Sequence, residues 1–275
     1  MALTPFRWRL VVSDLDGTML DRQQTISDEN IAAADRLARA GIGLTIATGR
    51  IDQMAALYAR QLSVKLPVIS SNGALIRDPS GQTIARHVLP RDQADSLVAW
   101  LLDREYEFIV YSEETAYYQT KTHLLHYYLD YNRQARQHGL PEIRLAPVHQ
   151  LLSGTPLIKM VVHAAAADKS AAFLEQIAGL NGCAAVRSTD HSFDITPAGV
   201  SKGSAVRELA LSLGIDLDDV VVLGDHQNDI PMLQIAGLPI AMGNATATVR
   251  QLSRQTTTDH HEHGFAYAVD HFILR

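Results

Sequence analysis

The chain has 275 residues, of which 47% are apolar, with a formal charge of −6 and a pI near 6.0. That length suits two domains with buried cores and excludes a disordered chain. An acidic balance without any lysine or arginine run excludes an electrostatic nucleic-acid footprint, and a single cysteine, Cys183, excludes both an intrachain disulfide and a cysteine-rich metal site. Cys183 itself reads as a small core residue. No apolar run approaches a membrane span, and the first strand begins too early to leave room for a signal peptide, so no membrane partner and a cytoplasmic location are the expectation.

The apolar run Leu10-Val11-Val12 predicts a buried strand. Asp14-Leu15-Asp16-Gly17-Thr18 follows it, so two carboxylates emerge at the strand's carboxyl end, where open α/β sheets place their ligand crevice. An ordinary surface turn is the competing reading, since Asp and Gly are turn formers. Ser27-Asp28-Glu29 starts a helix in which Ile31, Ala34, Leu37 and Ala38 share a face, and Gly41 ends it. A strand at 42–47, a helix at about 51–61 and a strand at 68–71 come next, and helices between apolar strands imply parallel pairing with right-handed crossovers. Asp78-Pro79-Ser80-Gly81 predicts a hairpin within 74–88 that leads out of the core.

The middle of the chain has its own pattern: a helix at 92–104, strands at 107–111 and 115–118, a helix at 123–138, a strand at 157–163, a helix at 167–178 and a strand at 184–187. It reads as an inserted α+β module. The core is then expected to resume with a strand at 193–196, a helix at 201–213, a strand at 220–223, a helix at 230–236 and a strand at 238–241. These readings put the core at 1–84 and 190–275 and the insert at 85–189.

Three more motifs begin where strand-like runs stop or helices start: Ala47-Thr48-Gly49-Arg50, Ser201-Lys202-Gly203, and Gly224-Asp225-His226-Gln227-Asn228-Asp229. They add a hydroxyl, an ammonium and further carboxylates. Singly, Thr-Gly-Arg reads as a loop and Ser-Lys-Gly as a helix cap with a solvated lysine; their joint occurrence in this order is what those readings explain badly. Together with the Asn228-Asp229 ending, the four motifs resemble the haloacid dehalogenase (HAD) superfamily of aspartyl-phosphate phosphohydrolases, in its Cof-type branch (subfamily IIB), over about two-thirds of the chain. The resemblance implies an α/β fold with a Rossmann-like doubly wound parallel-sheet core and makes the insert an α+β cap domain that sets specificity. Ser71-Asn72-Gly73-Ala74 is similar to the segment leading to that cap, with Asn72 touching substrate or pinning the linker.

Phosphate-ester hydrolysis needs an in-line nucleophile, compensation of phosphoryl charge and a proton donor for the leaving oxygen. Asp14 is the expected nucleophile and Asp16 the acid and base. Asp14, Asp225 and Asp229 with a phosphate dianion outweigh Lys202, so a hard divalent cation is expected, with magnesium the natural choice. The resemblance assigns its ligands to Asp14, the Asp16 backbone carbonyl and Asp225, while Asp229 orients a metal-bound water or ligates directly. Thr48 and Lys202 fill phosphate-binding roles, with Gly49 and Asn228 as further substrate contacts. Arg50 either binds phosphate or pairs with a core carboxylate, and Asp21 is expected to stabilise the loop after the first motif.

The sequence departs from the family pattern at His226, where a small residue is common, and at Asp259-His260-His261-Glu262-His263-Gly264, where an acidic segment is usual. A loop is the favoured reading of the second, over a transition-metal site built from His260, His261 and His263. The expected function is a magnesium-dependent phosphatase of a small phosphorylated metabolite. A sugar phosphomutase and a phospho-accepting regulatory domain are the alternatives, and Asp16 argues against the last because a receiver has no need of an acid/base there. Tyr117, Tyr118, His123 and Tyr127 are cap candidates for leaving-group contact, with core and interface packing as the favoured reading of them. Neither the substrate nor the oligomeric state is legible.

Overall fold

Residues 6–119, 122, 124–137, 139–189 and 191–275 are described by a computed structural model. The chain forms two units, one ending at Ala85 and resuming at Ser201, the other Arg86–Val200. The first unit carries five parallel strands in the order Gln255–Thr256, Leu238–Ala241, Val220–Gly224, Leu10–Ser13 and Gly43–Ile46. Its Leu10–Ser13, Val220–Gly224 and Leu238–Ala241 strands are buried at every position, which is why they read as unbroken apolar runs and not as alternations.

Register then fixes where the motifs begin. Ser13 lies opposite both Leu223 and Ile46. The ladder continues one residue further, with the Asp14 amide on the Leu223 carbonyl at 3.1 Å and the Ala47 amide on the Ser13 carbonyl at 2.9 Å. The chain therefore leaves all three strands at one edge of the sheet. Helices Asp28–Arg39 and Asp52–Gln61 follow the expected positions, the first capped by the Ser27 hydroxyl accepting the Asn30 amide at 3.3 Å. The hairpin is formed by Leu75–Arg77 and Thr83–Arg86, with the Asp78 carboxylate accepting the Ser80 and Gln82 amides at 2.8 and 2.9 Å.

The second unit holds a six-stranded sheet in the order Cys183–Thr189, Ser192–Pro197, Lys159–His163, Glu107–Tyr111, Thr115–Tyr118 and Arg144–Pro147. Helices Arg91–Asp103 and Ala167–Ala178 bury Leu97, Leu101 and Phe173 in one cluster with Phe108, Val110, Met160 and Val162 of the sheet. The Ser192–Pro197 strand corrects the expected boundary at 189/190, because it belongs to this sheet and not to the core. It runs antiparallel to Cys183–Thr189 from Thr189↔Ser192 to Cys183↔Pro197. A hairpin connection yields that pairing locally, whereas joining the parallel core sheet would require a long crossover. The Arg144–Pro147 strand was not foreseen. Cys183 packs against the same apolar cluster, and burial raises its thiol pKa, which suits an inert residue. Among the described residues no helix is long and apolar enough to cross a membrane.

Candidate active site

Asp14 is 4% exposed, and its Oδ1 accepts a 2.7 Å hydrogen bond from Lys202 Nζ. The same ammonium donates to Asp229 Oδ1 at 2.6 Å. Lys202 opens the Lys202–Ser212 helix, whose cap is Ser201 accepting the Ser204 amide at 3.1 Å. The helix-cap reading of Ser201-Lys202-Gly203 is thus half right: the cap exists, but the lysine is fully buried. Gly203 permits it, since a Cβ there would lie 2.3 Å from the Pro231 carbonyl oxygen and push the helix away from the segment after Asp229.

Both oxygens of Asp229 are engaged, Oδ1 by Lys202 and Oδ2 by the Asp225 and His226 amides at 2.9 and 3.0 Å. Asp225 Oδ2 accepts from Asn244 Nδ2 at 3.2 Å, and its Oδ1 lies 3.4 Å from the Thr18 hydroxyl. Gly17 has φ +74°, and a Cβ on it would sit 2.3 Å from Asp225 Oδ2, so only glycine lets these two loops meet. The buried Thr48 hydroxyl accepts the Arg50 amide at 3.1 Å, which leaves its own proton available to donate. Gly49 follows Thr48 in the same loop. Asn228 Nδ2 donates to Asn72 Oδ1 at 3.2 Å, and the Asn72 amide donates to the Thr48 carbonyl at 2.9 Å, joining the linker to the motif loops.

Asp16 stands apart from this buried group, its side chain 51% exposed. Arg50 grips it with two prongs, Nε to Oδ2 at 2.8 Å and Nη2 to Oδ1 at 2.5 Å. The ion-pair reading of Arg50 holds, and the core carboxylate it pairs with is Asp16, the expected acid and base. Tyr58 steadies the guanidinium, accepting from Nη1 at 3.1 Å and donating to the Gln24 carbonyl at 3.1 Å. Asp21 does what was expected, its carboxylate accepting the Gln23 and Thr25 amides at 2.9 and 2.8 Å.

Residues 11–269 match the family model of the haloacid dehalogenase-like hydrolases. The chain belongs to that family. It is 30% identical to the phosphatase YwpJ of Bacillus subtilis over 96% of this chain and 100% of that protein. It is 29% identical to the 5-amino-6-(5-phospho-D-ribitylamino)uracil phosphatase YwtE of the same organism over 96% and 98%. A solved haloacid dehalogenase-like hydrolase from B. subtilis superposes with a TM-score of 0.83 at 25% identity, covering 96% of this chain and all of that one. The motif-based assignment to the HAD phosphatases, Cof-type branch, agrees with these matches.

The electrostatics of the hydrolase follow from burial and from three carboxylates crowded around one ammonium. Burial pushes the Asp14 carboxyl well above the ordinary range; Lys202 opposes that rise, and the negative charges of Asp229 and Asp225 add to it. Burial, then Asp229, brings Asp225 up to about 7. Burial alone would pull the Lys202 ammonium down, but Asp14 and Asp229 outweigh it and hold it above its usual value. Burial and mutual repulsion favour the protonated forms of Asp14 and Asp225, and a cation beside them would favour the charged ones. Carboxylate oxygens of Asp14, Asp225 and Asp229 lie within 4.8 Å of one another, an all-oxygen donor set that fits a hard divalent cation. Asp14 and Asp225 are the better ligands of the three, because Asp229 already satisfies Lys202 and two amides.

Sequence reasoning missed Asn244. Its Nδ2 binds the Gly17 carbonyl at 2.8 Å as well as Asp225, locking the first motif to the last. The available signal was Gly243-Asn244, a turn pair just past the Leu238–Ala241 strand. In the second unit, Tyr117 and Tyr118 lie on the Thr115–Tyr118 strand, and Tyr127 is exposed on the Leu124–Gln137 helix. His123 lies outside the described residues.

Proposed function

We propose that this hydrolase is a magnesium-dependent phosphatase of a small phosphorylated metabolite, a sugar phosphate or similar phosphomonoester, working through an aspartyl-phosphate on Asp14. The observation that supports it is the Lys202 ammonium shared by Asp14 and Asp229 at the sheet edge. It anchors one oxygen of a buried carboxylate and leaves the other to attack phosphorus. When bound at Asp14, the Asp16 carbonyl and Asp225, magnesium supplies the positive charge that lets a phosphate dianion approach these acids. Lys202 and the Thr48 hydroxyl hold phosphoryl oxygens, while Asn228 and the Gly49 backbone contact the substrate.

In the first step a bond forms from Asp14 to phosphorus as the ester bond breaks, and Asp16 gives its proton to the leaving oxygen. In the second, water attacks the aspartyl-phosphate, its proton passes to Asp16, and Asp14 departs as a carboxylate. Arg50 orients Asp16, and its hold must loosen for Asp16 to carry a proton. One assay tests the reading: phosphate release with and without magnesium from phosphorylated sugars, nucleotides and cofactors, including a 5-phosphoribityl compound because the relative YwtE is named for one. Absence of magnesium-dependent release from the whole panel contradicts it.

Two expected results follow from individual groups. Asp225 retains its proton up to about 7 and burial also holds the Asp14 carboxyl well above its ordinary range, so magnesium affinity should fall by at least about tenfold per pH unit below 7. Calorimetric titration at pH 6, 7 and 8 measures this, and an equal affinity at all three rules out Asp225 as a ligand. Asp16→Asn keeps the backbone carbonyl and removes the proton relay. Turnover of sugar phosphates should drop about 10²- to 10⁴-fold, whereas esters with acidic phenol leaving groups should suffer less in the first step and accumulate phosphorylated Asp14. Equal losses for both ester classes in a single-turnover experiment contradict the role.

A further inference from the structure

The departure at 259–264 folds into a short turn, His260–Glu262, entered through Asp259. The three histidines do not converge. His263 sits in left-handed backbone at φ +56°, with Nδ1 2.9 Å from Ser27 Oγ and 3.4 Å from Glu29 Oε2. Asp259 takes its place, since donor atoms from Asp259, His260 and His261 all lie within 4.8 Å of one another.

His260 is oriented as a metal-ligating histidine is. Its Nδ1 lies 2.6 Å from the Leu20 carbonyl, which can only accept, so Nδ1 carries the proton and Nε2 presents a lone pair. His260 Nε2 lies 3.7 Å from Asp259 Oδ1, beyond hydrogen-bond reach. Two electron-rich atoms at this separation are both within about 2.1 Å of a single ion placed between them. The His261 ring lies against His260 with centroids 3.7 Å apart, and among the described residues no hydrogen bond engages it. The turn is set without any ion: Asp259 Oδ1 accepts the His261 amide at 2.9 Å, and the His260 amide donates to Asn244 Oδ1 at 3.1 Å.

We propose that Asp259, His260 and His261 form a second metal site, for a borderline divalent transition ion such as zinc, that fastens the turn before the last helix to the Leu20 loop. Mixed imidazole and carboxylate donors favour zinc, nickel or copper over magnesium. The remaining coordination positions open to water, because all three residues are only half-buried. None of them belongs to the Asp14–Asp225 group, so this ion would be held whether or not the catalytic cation is present.

The test is equilibrium dialysis of the full-length protein against zinc in excess magnesium, with bound metal counted and melting temperature recorded. Wild type, His263→Ala and Asp225→Asn should each retain one zinc and melt higher with it. His261→Ala, which among the described residues removes a ring stacked on His260 but no side-chain hydrogen bond, should still fold cooperatively and lose both the bound zinc and the rise in melting temperature on adding zinc. Zinc retained by His261→Ala, zinc lost by His263→Ala or by Asp225→Asn, or no zinc on the wild type would each overturn the proposal.

Discussion

Asp14→Asn is expected to lower turnover of every phosphate ester by about 10⁵- to 10⁶-fold, the scale seen when an enzyme loses its nucleophile. The loss should not depend on the leaving group, because an amide in place of the attacking oxygen disables the step that precedes any proton transfer. Folding should survive. Burial raises the Asp14 carboxyl well above its ordinary range, so its charge is unfavourable in the metal-free fold, and a neutral isostere of the same size removes that burden. The metal-free variant should therefore melt no lower than the wild type near neutral pH. Initial rates on an aryl phosphate and a sugar phosphate, with a thermal melt of the same sample, measure both halves. Turnover within about 100-fold of the wild type would remove Asp14 from the mechanism.

Lys202→Met should produce the largest loss of stability in the first unit, about 3–5 kcal/mol, because it breaks a buried ion pair on one side and leaves the other charges uncompensated. Lys202 is fully buried between Asp14 and Asp229, and methionine fills much of its volume without its charge. The sign of the pH dependence follows. Carboxyl groups with raised folded-state pKa values favour the fold while protonated, and that contribution disappears as pH rises through those values. Removing Lys202 takes away the positive charge that lowers Asp14, so the variant's deficit should be small in mild acid and grow toward pH 8. Denaturant titrations of both proteins at pH 5.5 and pH 8 test this. A deficit below about 1 kcal/mol at pH 8 would mean that the ion pairs are not what holds this edge together. Catalysis should fall with it, by about 10²- to 10³-fold for the lost phosphoryl contact.

Much of the site was legible because strand ends are local features. An apolar run buried on both faces carries its next residue to the sheet edge, and this alone placed Asp14 and Asp225 at a common edge with the Thr48 loop. Gly17 was legible for a similar reason, since a glycine after two acids marks a tight turn. The hairpin at Asp78-Pro79-Ser80-Gly81 was equally plain, its turn chemistry residing within a few residues. By contrast, the Ser192–Pro197 strand was assigned to the wrong sheet, since a short apolar alternation looks the same in either sheet and only its hairpin partner decides.

The sequence by itself determined which chemical groups stand at which strand ends, hence the family and the reaction class. Only the tertiary structure decided how those groups are charged and held. The ammonium of Lys202 reaches carboxylates 188 and 27 positions away, Arg50 clasps an aspartate 34 positions away, and Asn244 ties down a glycine carbonyl 227 positions away. Local pattern reports backbone preference and neighbours within a turn or two. Desolvation and charge pairing depend on what the folded chain sets beside each group, which is why a lysine that reads as solvated at a helix start is buried between two aspartates.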